Sequence, residues 1–243
     1  MILFRSILFY LIFIISIPPT AIIMWIISLF IPKSAWFLCR LWGKFVNFIL
    51  RVICNIKIEV KGDIAKNSNP CLILANHTGP WETVAIMPYI PFDFTYVLKK
   101  QLISWKYNFF AMGIRSIKPI PISRESNAGD FTAITQLSQE RFKKNISVMI
   151  FPGGTRKALN ESLDYGVGGI LLAKKIKCPV KILFVDSEKW SRGKYIKDYG
   201  LLYPGKIRIH FGDLISKEEI SLKKAKELHE QTLNFYNKFK SGS

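Results

Sequence analysis

The run Leu72-Ile-Leu-Ala-Asn-His-Thr-Gly-Pro-Trp-Glu82 holds the residue types most able to do chemistry in this chain. Its apolar start reads as a buried strand, its middle as a turn, and Pro80 as the first turn of a helix, where a missing N–H is not needed. His77 then stands at the strand exit and Glu82 about one turn into the helix. From there the carboxylate can hold the imidazole Nδ1–H and leave Nε2 free to accept a proton. That is how a general base acting on a hydroxyl is oriented. The same spacing fits a plainer role. With Gly79 as N-cap, Glu82 takes the N3 capping position and His77 is a hydrogen-bonded turn residue. Spacing alone leaves both open.

A second strand end carries Pro152-Gly-Gly-Thr-Arg156 directly after the apolar run Val148–Phe151. Two glycines, Gly153 and Gly154, allow a tight turn that brings backbone N–H groups close to an oxyanion. Arg156 adds a planar fork suited to phosphate. Taken alone, the segment reads first as an ordinary turn with a solvent-facing arginine. His210 alternates with Ile209 and Phe211 and is expected on the polar side of a strand, and His229 falls on an amphipathic helix. Neither has a metal-ligand partner nearby in sequence. The four cysteines (Cys39, Cys54, Cys71, Cys178) sit apart among apolar neighbours, which argues against disulfides and structural zinc and predicts no metal site.

The elements that must position these residues follow from periodicity. Strands are expected at Lys57–Val60, Cys71–Ala75, Phe94–Leu98, Lys118–Ile122, Val148–Phe151, Val180–Val185 and Lys206–Phe211. Helices are expected from near Pro80, over Ala128–Lys143 and Tyr165–Lys177, and from Glu218 to Phe239. Strands alternating with helices predict an α/β fold: a mixed, largely parallel sheet flanked by helices. Catalytic groups in such sheets gather where strands end and helices begin.

The first quarter of the chain is different. Between residues 1 and 31 the only charge is Arg5, and the apolar runs Ser6–Ile17 and Ala21–Ile31 are separated by Pro18-Pro19-Thr20. Each run is roughly 15–18 Å long as a helix, short of a hydrocarbon core of about 30 Å. A double proline removes two donors and disfavours the α region before it. A two-helix hairpin dipping into one leaflet is therefore expected in preference to a straight span. Ser34–Cys54 is dense in aromatic and aliphatic residues, with Arg40, Lys44 and Arg51 in one narrow sector of a helical wheel. Such a helix lies in the interface with its cations among lipid phosphates, or else packs in the core with one solvated stripe. Residues 1–55 thus read as a hydrophobic helical membrane anchor and 56–243 as the α/β domain, with Asp63–Asn69 the most linker-like stretch.

Composition agrees. Hydrophobic residues make up 49% of the chain, and 35 Lys and Arg face 17 Asp and Glu, for a net charge of +18. Apolar and basic together point to an anionic membrane surface. Nucleic acid is the rival partner for such charge, but the cations are scattered in pairs and accompany no nucleic-acid-binding signature, so none is expected.

The box N-H-x-x-x-x-E from Asn76 to Glu82 resembles the N-H-x-x-x-x-D box of the glycerolipid acyltransferases, the lysophosphatidic acid acyltransferase family. His77-Thr-Gly-Pro-Trp-Glu-Thr looks like a bacterial branch with Glu at the Asp position. Ser123-Arg124 resembles the D-R ending of the second block, Phe151-Pro-Gly-Gly-Thr-Arg156 the third block F-P-E-G-T-R, and Cys178-Pro-Val-Lys-Ile-Leu183 the fourth. The blocks occur in the family's order over residues 57–212. Departures are Glu82 for Asp, Ser123 for an acid, a longer stretch from Gly113 to Arg124, and Gly153 for Glu.

The resemblance implies a fatty acyl transfer from acyl-CoA or acyl carrier protein, as co-substrate, to the free sn-2 hydroxyl of lysophosphatidic acid, with no cofactor. His77 would be the general base and Glu82 its orienting partner, and the substrate phosphate would meet Arg156, Thr155, Gly154 and Arg124. Membrane lipids, the lysophospholipid acceptor and the acyl donor are the implied partners, at the cytoplasmic surface of a bacterial inner membrane. Another lysophospholipid or glycerol 3-phosphate as acceptor, or a catalytically weak lipid-binding protein, are the alternatives.

Overall fold

A computed structural model of the chain describes residues 1–62, 70–79, 81–104, 108–123, 128–154, 156, 165–186 and 199–240. Among the described residues seven strands form one sheet: β1 (Ile56–Lys61), β2 (Leu72–Ala75), β3 (Phe94–Lys99), β4 (Ile120–Ile122), β5 (Ser147–Ile150), β6 (Val180–Asp186) and β7 (Gly205–Ile215), in the order β1-β7-β6-β2-β5-β3-β4. Every pairing is parallel except β6 with β7. All seven expected strands are present. The centre of the sheet is β2, buried on both faces, as its unbroken apolar run requires. At the edge, β1 alternates Lys57, Glu59 and Lys61 toward solvent, a charged rim that discourages pairing with another chain.

Period-2 alternation sorts the sheet's side chains into two cores. Ile73, Ala75, Met149, Leu183 and Phe94 pack with the N-terminal helices. Leu72, Leu74, Val148, Ile182 and Phe184 pack on the opposite face with α5 (Ala128–Lys143), α6 (Gly168–Ile176) and α8 (Ala225–Lys240). Tyr236 of α8, fully buried, donates its hydroxyl to the Leu74 carbonyl at 2.8 Å and so ties the last helix to the central strand.

The expected break at Pro18-Pro19 is absent. Helix α1 runs continuously over Ile2–Phe30 with both prolines inside it, a length of about 43 Å at about 1.5 Å per residue. Two interior prolines cost roughly 6 kcal/mol. Against this, Phe9, Tyr10, Phe13, Ala21 and Met24, on both sides of the prolines, share one buried stripe. At about 1.5–3 kcal/mol per large side chain, that stripe outweighs the cost only if the two halves stay in line. Helix α2 (Ser34–Cys54) runs back along α1, with Trp42 stacked on Phe13 at 5.8 Å and donating to Ser16 Oγ at 2.9 Å.

Among the described residues α1 is the one helix long and apolar enough, by length and composition, to cross a membrane. In α2 the two readings combine. Trp36, Val46, Ile49 and Leu50 are buried in the core, while Phe37, Leu41, Phe45, Phe48 and Val52 form an exposed apolar stripe. Lys44 and Arg51 are exposed beside it. Arg40 departs from the expectation of a lipid-facing cation: it donates to the Ile90 carbonyl at 3.1 Å and pairs with Asp93 at 3.3 Å.

Three helical boundaries differ from the expected ones. Tyr165–Val167 precede α6 instead of opening it, because Gly166 donates to the Pro152 carbonyl at 3.2 Å and so ties this stretch to the turn after β5. The C-terminal helix is two, α7 (Lys217–Leu222) and α8. Lys174 of α6 donates to the carbonyls of Ile220 and Lys223 at 2.7 and 2.6 Å, so the last turn of α7 is capped by an ammonium instead of the next turn. A further helix, α4 (Asn108–Arg115), packs against α1, and the helix expected near Pro80 is the short α3 (Glu82–Ala85).

Candidate active site

Because β2 and β5 lie side by side and parallel, with Leu74 opposite Ile150, their carboxyl ends open at the same place. Asn76, one residue beyond β2 and 1% exposed, donates its amide to the Val185 carbonyl at 2.9 Å and accepts from Val185 N–H at 2.7 Å. The side-chain amide thus extends the β2–β6 ladder past its last paired residue and fixes the chain as it delivers His77.

The His77 imidazole is held on three sides. Nδ1 lies 2.5 Å from Glu82 Oε1. Arg156 Nε donates to Nε2 at 3.3 Å. Phe151 stacks on the ring at 4.2 Å between centroids with planes 20° apart, and Tyr96 stacks on Phe151 at 5.9 Å. These partners decide the tautomer. Guanidinium has only donors, so Nε2 presents its lone pair, and the proton sits on Nδ1 facing the carboxylate.

Glu82 is 1% exposed and every contact it makes is as an acceptor. Oε1 also takes the Thr78 backbone N–H at 2.7 Å, and Oε2 takes the Thr78 hydroxyl in a short hydrogen bond. The extra methylene of Glu relative to Asp lets the carboxylate reach back over the turn and collect all three donors. Glu82 opens α3, which is braced from behind by α2. Gly43 comes so close to this segment that a Cβ there would lie 2.6 Å from the Val84 carbonyl and from Pro88, and Asn47 donates to the Ala85 carbonyl at 3.0 Å. Tyr96 donates to the Thr83 carbonyl at 2.6 Å. Burial pushes its phenol well above the ordinary range, so it remains a neutral donor.

The third block forms a tight turn in which Gly154 N–H donates to the Phe151 carbonyl at 2.9 Å and Gly154 adopts φ +63°, which a glycine takes without strain. That N–H is committed to the turn, so the contribution of Gly154 is shape. The turn brings Arg156 across to His77. Thr155 and Arg124 lie outside the described residues. Ser123, at the acid position of the second block, donates to Asp130 Oδ2 at 2.5 Å, so a carboxylate from the first turn of α5 stands beside it.

His77, Gly154 and Arg156 line the mouth of a cavity of about 750 Å³ whose interior is apolar, walled by Phe13, Ile17 and Met24 of α1, Trp42 of α2, and Phe110 and Ile114 of α4. Lys99 also lines it. A space of this size and lining suits a long apolar ligand with its reactive end at the polar mouth.

His77, Glu82, Gly154 and Arg156 are therefore brought together. Asn76, Thr78, Phe151 and Tyr96 escaped sequence reasoning as parts of the site. Asn76 and Thr78 flank His77 directly, and a buried strand ending in two short polar side chains was the available signal. His210 is not on a polar face. It is 7% exposed and stacks on Phe239 of α8 at 3.9 Å, because α8 covers that part of the sheet. Asp186 pairs with Arg208 at 3.3 Å. All four cysteines are buried and free. Among the described residues no cluster of His, Cys, Asp or Glu could hold a metal ion.

The acyltransferase family model matches residues 57–181 of this chain. The 1-acyl-sn-glycerol-3-phosphate acyltransferase of Pseudomonas aeruginosa is 29% identical over 217 residues, which cover 88% of this chain and 81% of that one. The protein of the same name from Cocos nucifera is 26% identical over 141 residues, which cover 58% of this chain and 45% of the relative, so that the match spans about half of the plant protein. The crystal structure of the 1-acyl-sn-glycerophosphate acyltransferase from Thermotoga maritima has the same fold, with a TM-score of 0.72 over 97% of this chain and 94% of that one at 16% identity. With its first and third blocks brought together at the carboxyl ends of β2 and β5, the chain belongs to the acyltransferase family, as a member of its lysophosphatidic acid acyltransferase branch.

Proposed function

We propose that the protein transfers a fatty acyl group from acyl-CoA or acyl carrier protein to the sn-2 hydroxyl of lysophosphatidic acid, giving phosphatidic acid, with His77 as general base. The observation that carries this reading is a single imidazole with Nδ1 on a buried carboxylate and Nε2 directed to an arginine at the mouth of an apolar cavity. The acyl chain of the donor occupies the cavity and leaves the thioester carbonyl at His77. The acceptor hydroxyl gives its proton to Nε2 as its oxygen bonds to that carbonyl carbon. Collapse of the tetrahedral intermediate breaks the C–S bond, and the imidazolium returns the proton to the departing thiolate. Glu82 holds the ring and offsets its positive charge in between. No acyl-enzyme is required.

Arg156 binds the acceptor phosphate, with Arg124 and Thr155 assigned there from the resemblance and Gly154 shaping the turn. Residues 1–55 form the anchoring unit, α1 and the exposed apolar stripe of α2 meeting lipid while Lys44 and Arg51 meet anionic headgroups. On this reading the reaction runs at a membrane surface, the cytoplasmic face of a bacterial inner membrane.

The test is an acyl-transfer assay in liposomes with long-chain acyl-CoA, or acyl carrier protein, and a panel of lysophosphatidic acid, other lysophospholipids and glycerol 3-phosphate. Transfer to lysophosphatidic acid that falls roughly 10²–10⁴-fold in His77→Ala supports the reading. Undiminished transfer in that variant refutes the base, and preference for another acceptor refutes the assignment of substrate.

A further inference from the structure

Tyr165 belongs to none of the four blocks, yet its hydroxyl is buried close behind the catalytic pair and has no hydrogen-bond partner among the described residues. A buried polar group left in that state is costly and calls for a reason. We propose that Tyr165 is a positioning residue for the base: through one buried water its phenol donates to Glu82 Oε2 and steadies the carboxylate that holds His77. This role rests on the acyl-transfer reading above and adds to it a donor from outside the blocks.

Three contacts bring the phenol to that place. Gly166 N–H donates to the Pro152 carbonyl at 3.2 Å, which ties the backbone beside Tyr165 to the turn after β5. The Tyr165 ring packs on Tyr236 at 4.5 Å between centroids, and Tyr236 donates to the Leu74 carbonyl at 2.8 Å. Gly169, at the start of α6, lies so close to Leu74 that a Cβ there would sit 2.6 Å from its side chain. Tyr165 is thereby held beneath the carboxyl end of β2, in the core under α8. Tyr96 and Phe151 belong to the core on the opposite face of the sheet.

Donors and acceptors then match. A carboxylate offers about four acceptor sites. Glu82 Oε1 takes His77 Nδ1–H and Thr78 N–H, while Oε2 takes the Thr78 hydroxyl. One site on Oε2 is left, and so is one phenolic O–H. Burial pushes the Tyr165 phenol up and the Glu82 charge adds to the rise, so the phenol stays protonated within the field of that carboxylate. Tyr96 feels the same charge, but its O–H is already taken by the Thr83 carbonyl at 2.6 Å. Tyr165 and Glu82 stand beyond direct hydrogen-bond reach, and a water held between two such groups serves nearly as well as a direct bond.

Tyr165→Phe keeps the ring on Tyr236 and removes the O–H alone. An idle buried hydroxyl would leave kcat untouched on removal and hold or raise the unfolding temperature. The proposed role instead expects kcat for transfer to lysophosphatidic acid to fall about three- to tenfold, the weight of one hydrogen bond. KM for acceptor should stay within about twofold. Because the phenol acts through the Glu82 charge, the same substitution made on top of Glu82→Gln should cost less than about twofold, a coupling that unrelated damage does not produce. A second readout needs no acyl chemistry: the His77 Nδ1–H magnetic resonance signal of the full chain in detergent, with isotope-labelled histidine, assigned by its loss in His77→Ala. That signal should shift in Tyr165→Phe. Full kcat in Tyr165→Phe, an equal loss with and without the Glu82 charge, or an unmoved signal overturns the role. If the unaltered protein transfers nothing to lysophosphatidic acid while the signal still answers to Tyr165→Phe, the substrate assignment falls and Tyr165 keeps its place; transfer that ignores Tyr165 removes this role alone.

Discussion

Replacing Glu82 by Gln isolates the electrostatic part of the site from its geometry. The amide has the same shape, and its oxygen can stay where Oε1 is, accepting from His77 Nδ1 and Thr78 N–H, now at 2.5 and 2.7 Å. The amide NH₂ then falls where Oε2 accepts the Thr78 hydroxyl, and that hydroxyl can rotate to accept instead. The fold and the tautomer are thus preserved. What disappears is the negative charge beside an imidazole that becomes positive only in the transition state. A hydrogen bond to a charged group is worth about 1.5–3 kcal/mol, so at about 1.4 kcal/mol per tenfold kcat should fall by about 10- to 150-fold. Glu82 is 1% exposed and behind the ring, out of reach of substrate, so KM for acceptor should stay within about twofold, since only interactions made in the transition state are lost. Steady-state transfer to lysophosphatidic acid in liposomes, with thermal unfolding of the same preparations, makes the measurement. Full kcat in Glu82→Gln would refute the claim that the carboxylate stabilises the charged ring. A loss confined to KM would show that Glu82 serves acceptor binding instead.

Three further outcomes follow from the same contacts. Thr78→Val removes the fully buried hydroxyl that holds Glu82 Oε2 and should lower kcat about tenfold, with Thr78→Ser restoring most of it; full kcat in Thr78→Val with a loss in Thr78→Ser would assign the role to the methyl group. Replacing Lys44 and Arg51, exposed beside the apolar stripe of α2, by Ala should weaken binding to anionic vesicles by about 30-fold at low salt, from about 1 kcal/mol per cation, and much less at high salt; co-sedimentation unchanged by the substitution would remove these cations from the lipid contact. His210 lies below its ordinary value of 6.5 because of burial, with Lys61 opposing its charge, Asp186 favouring it and Arg208 opposing it. The unfolded chain therefore takes up this proton first, so His210 contributes stability that is full above about pH 6.5 and is lost as pH falls through the folded value. The unfolding temperature should drop on acidification from pH 7.5 to 5.5, less so in His210→Gln, and an identical drop in that variant would point to other groups.

Local pattern was enough for most of the scaffold and for the centre of the site. The seven strands announce themselves as short apolar or alternating runs between turn residues, and α5 spans Ala128–Lys143 as its periodicity predicts. His77 and Glu82 are five residues apart on a strand–turn–helix segment, so their meeting is a local event readable from spacing. The misses share a different cause. The end of α7 depends on Lys174, 49 residues before Lys223, and the polar face expected around His210 is filled by Phe239 from the last helix. Propensity along the chain carries no information on either.

The double proline makes the same point in energetic terms. Locally, Pro18-Pro19 is a break signal worth about 6 kcal/mol, and a reading confined to the neighbouring residues must obey it. Its defeat comes from partners far along the chain: Trp42 on Phe13 and Ser16, Met24 against Cys39, and α4 along the far end of α1. Since α1 therefore belongs to the same core as Ile73, Met149 and Leu183, removing residues 1–32 uncovers the wall of the cavity that leads to His77. Such a deletion should do more than release the protein from lipid. It should lower the unfolding temperature of the α/β domain and abolish transfer even to acceptors presented in detergent, whereas a truncated chain with intact stability and activity would mean that α1 is an anchor and nothing else.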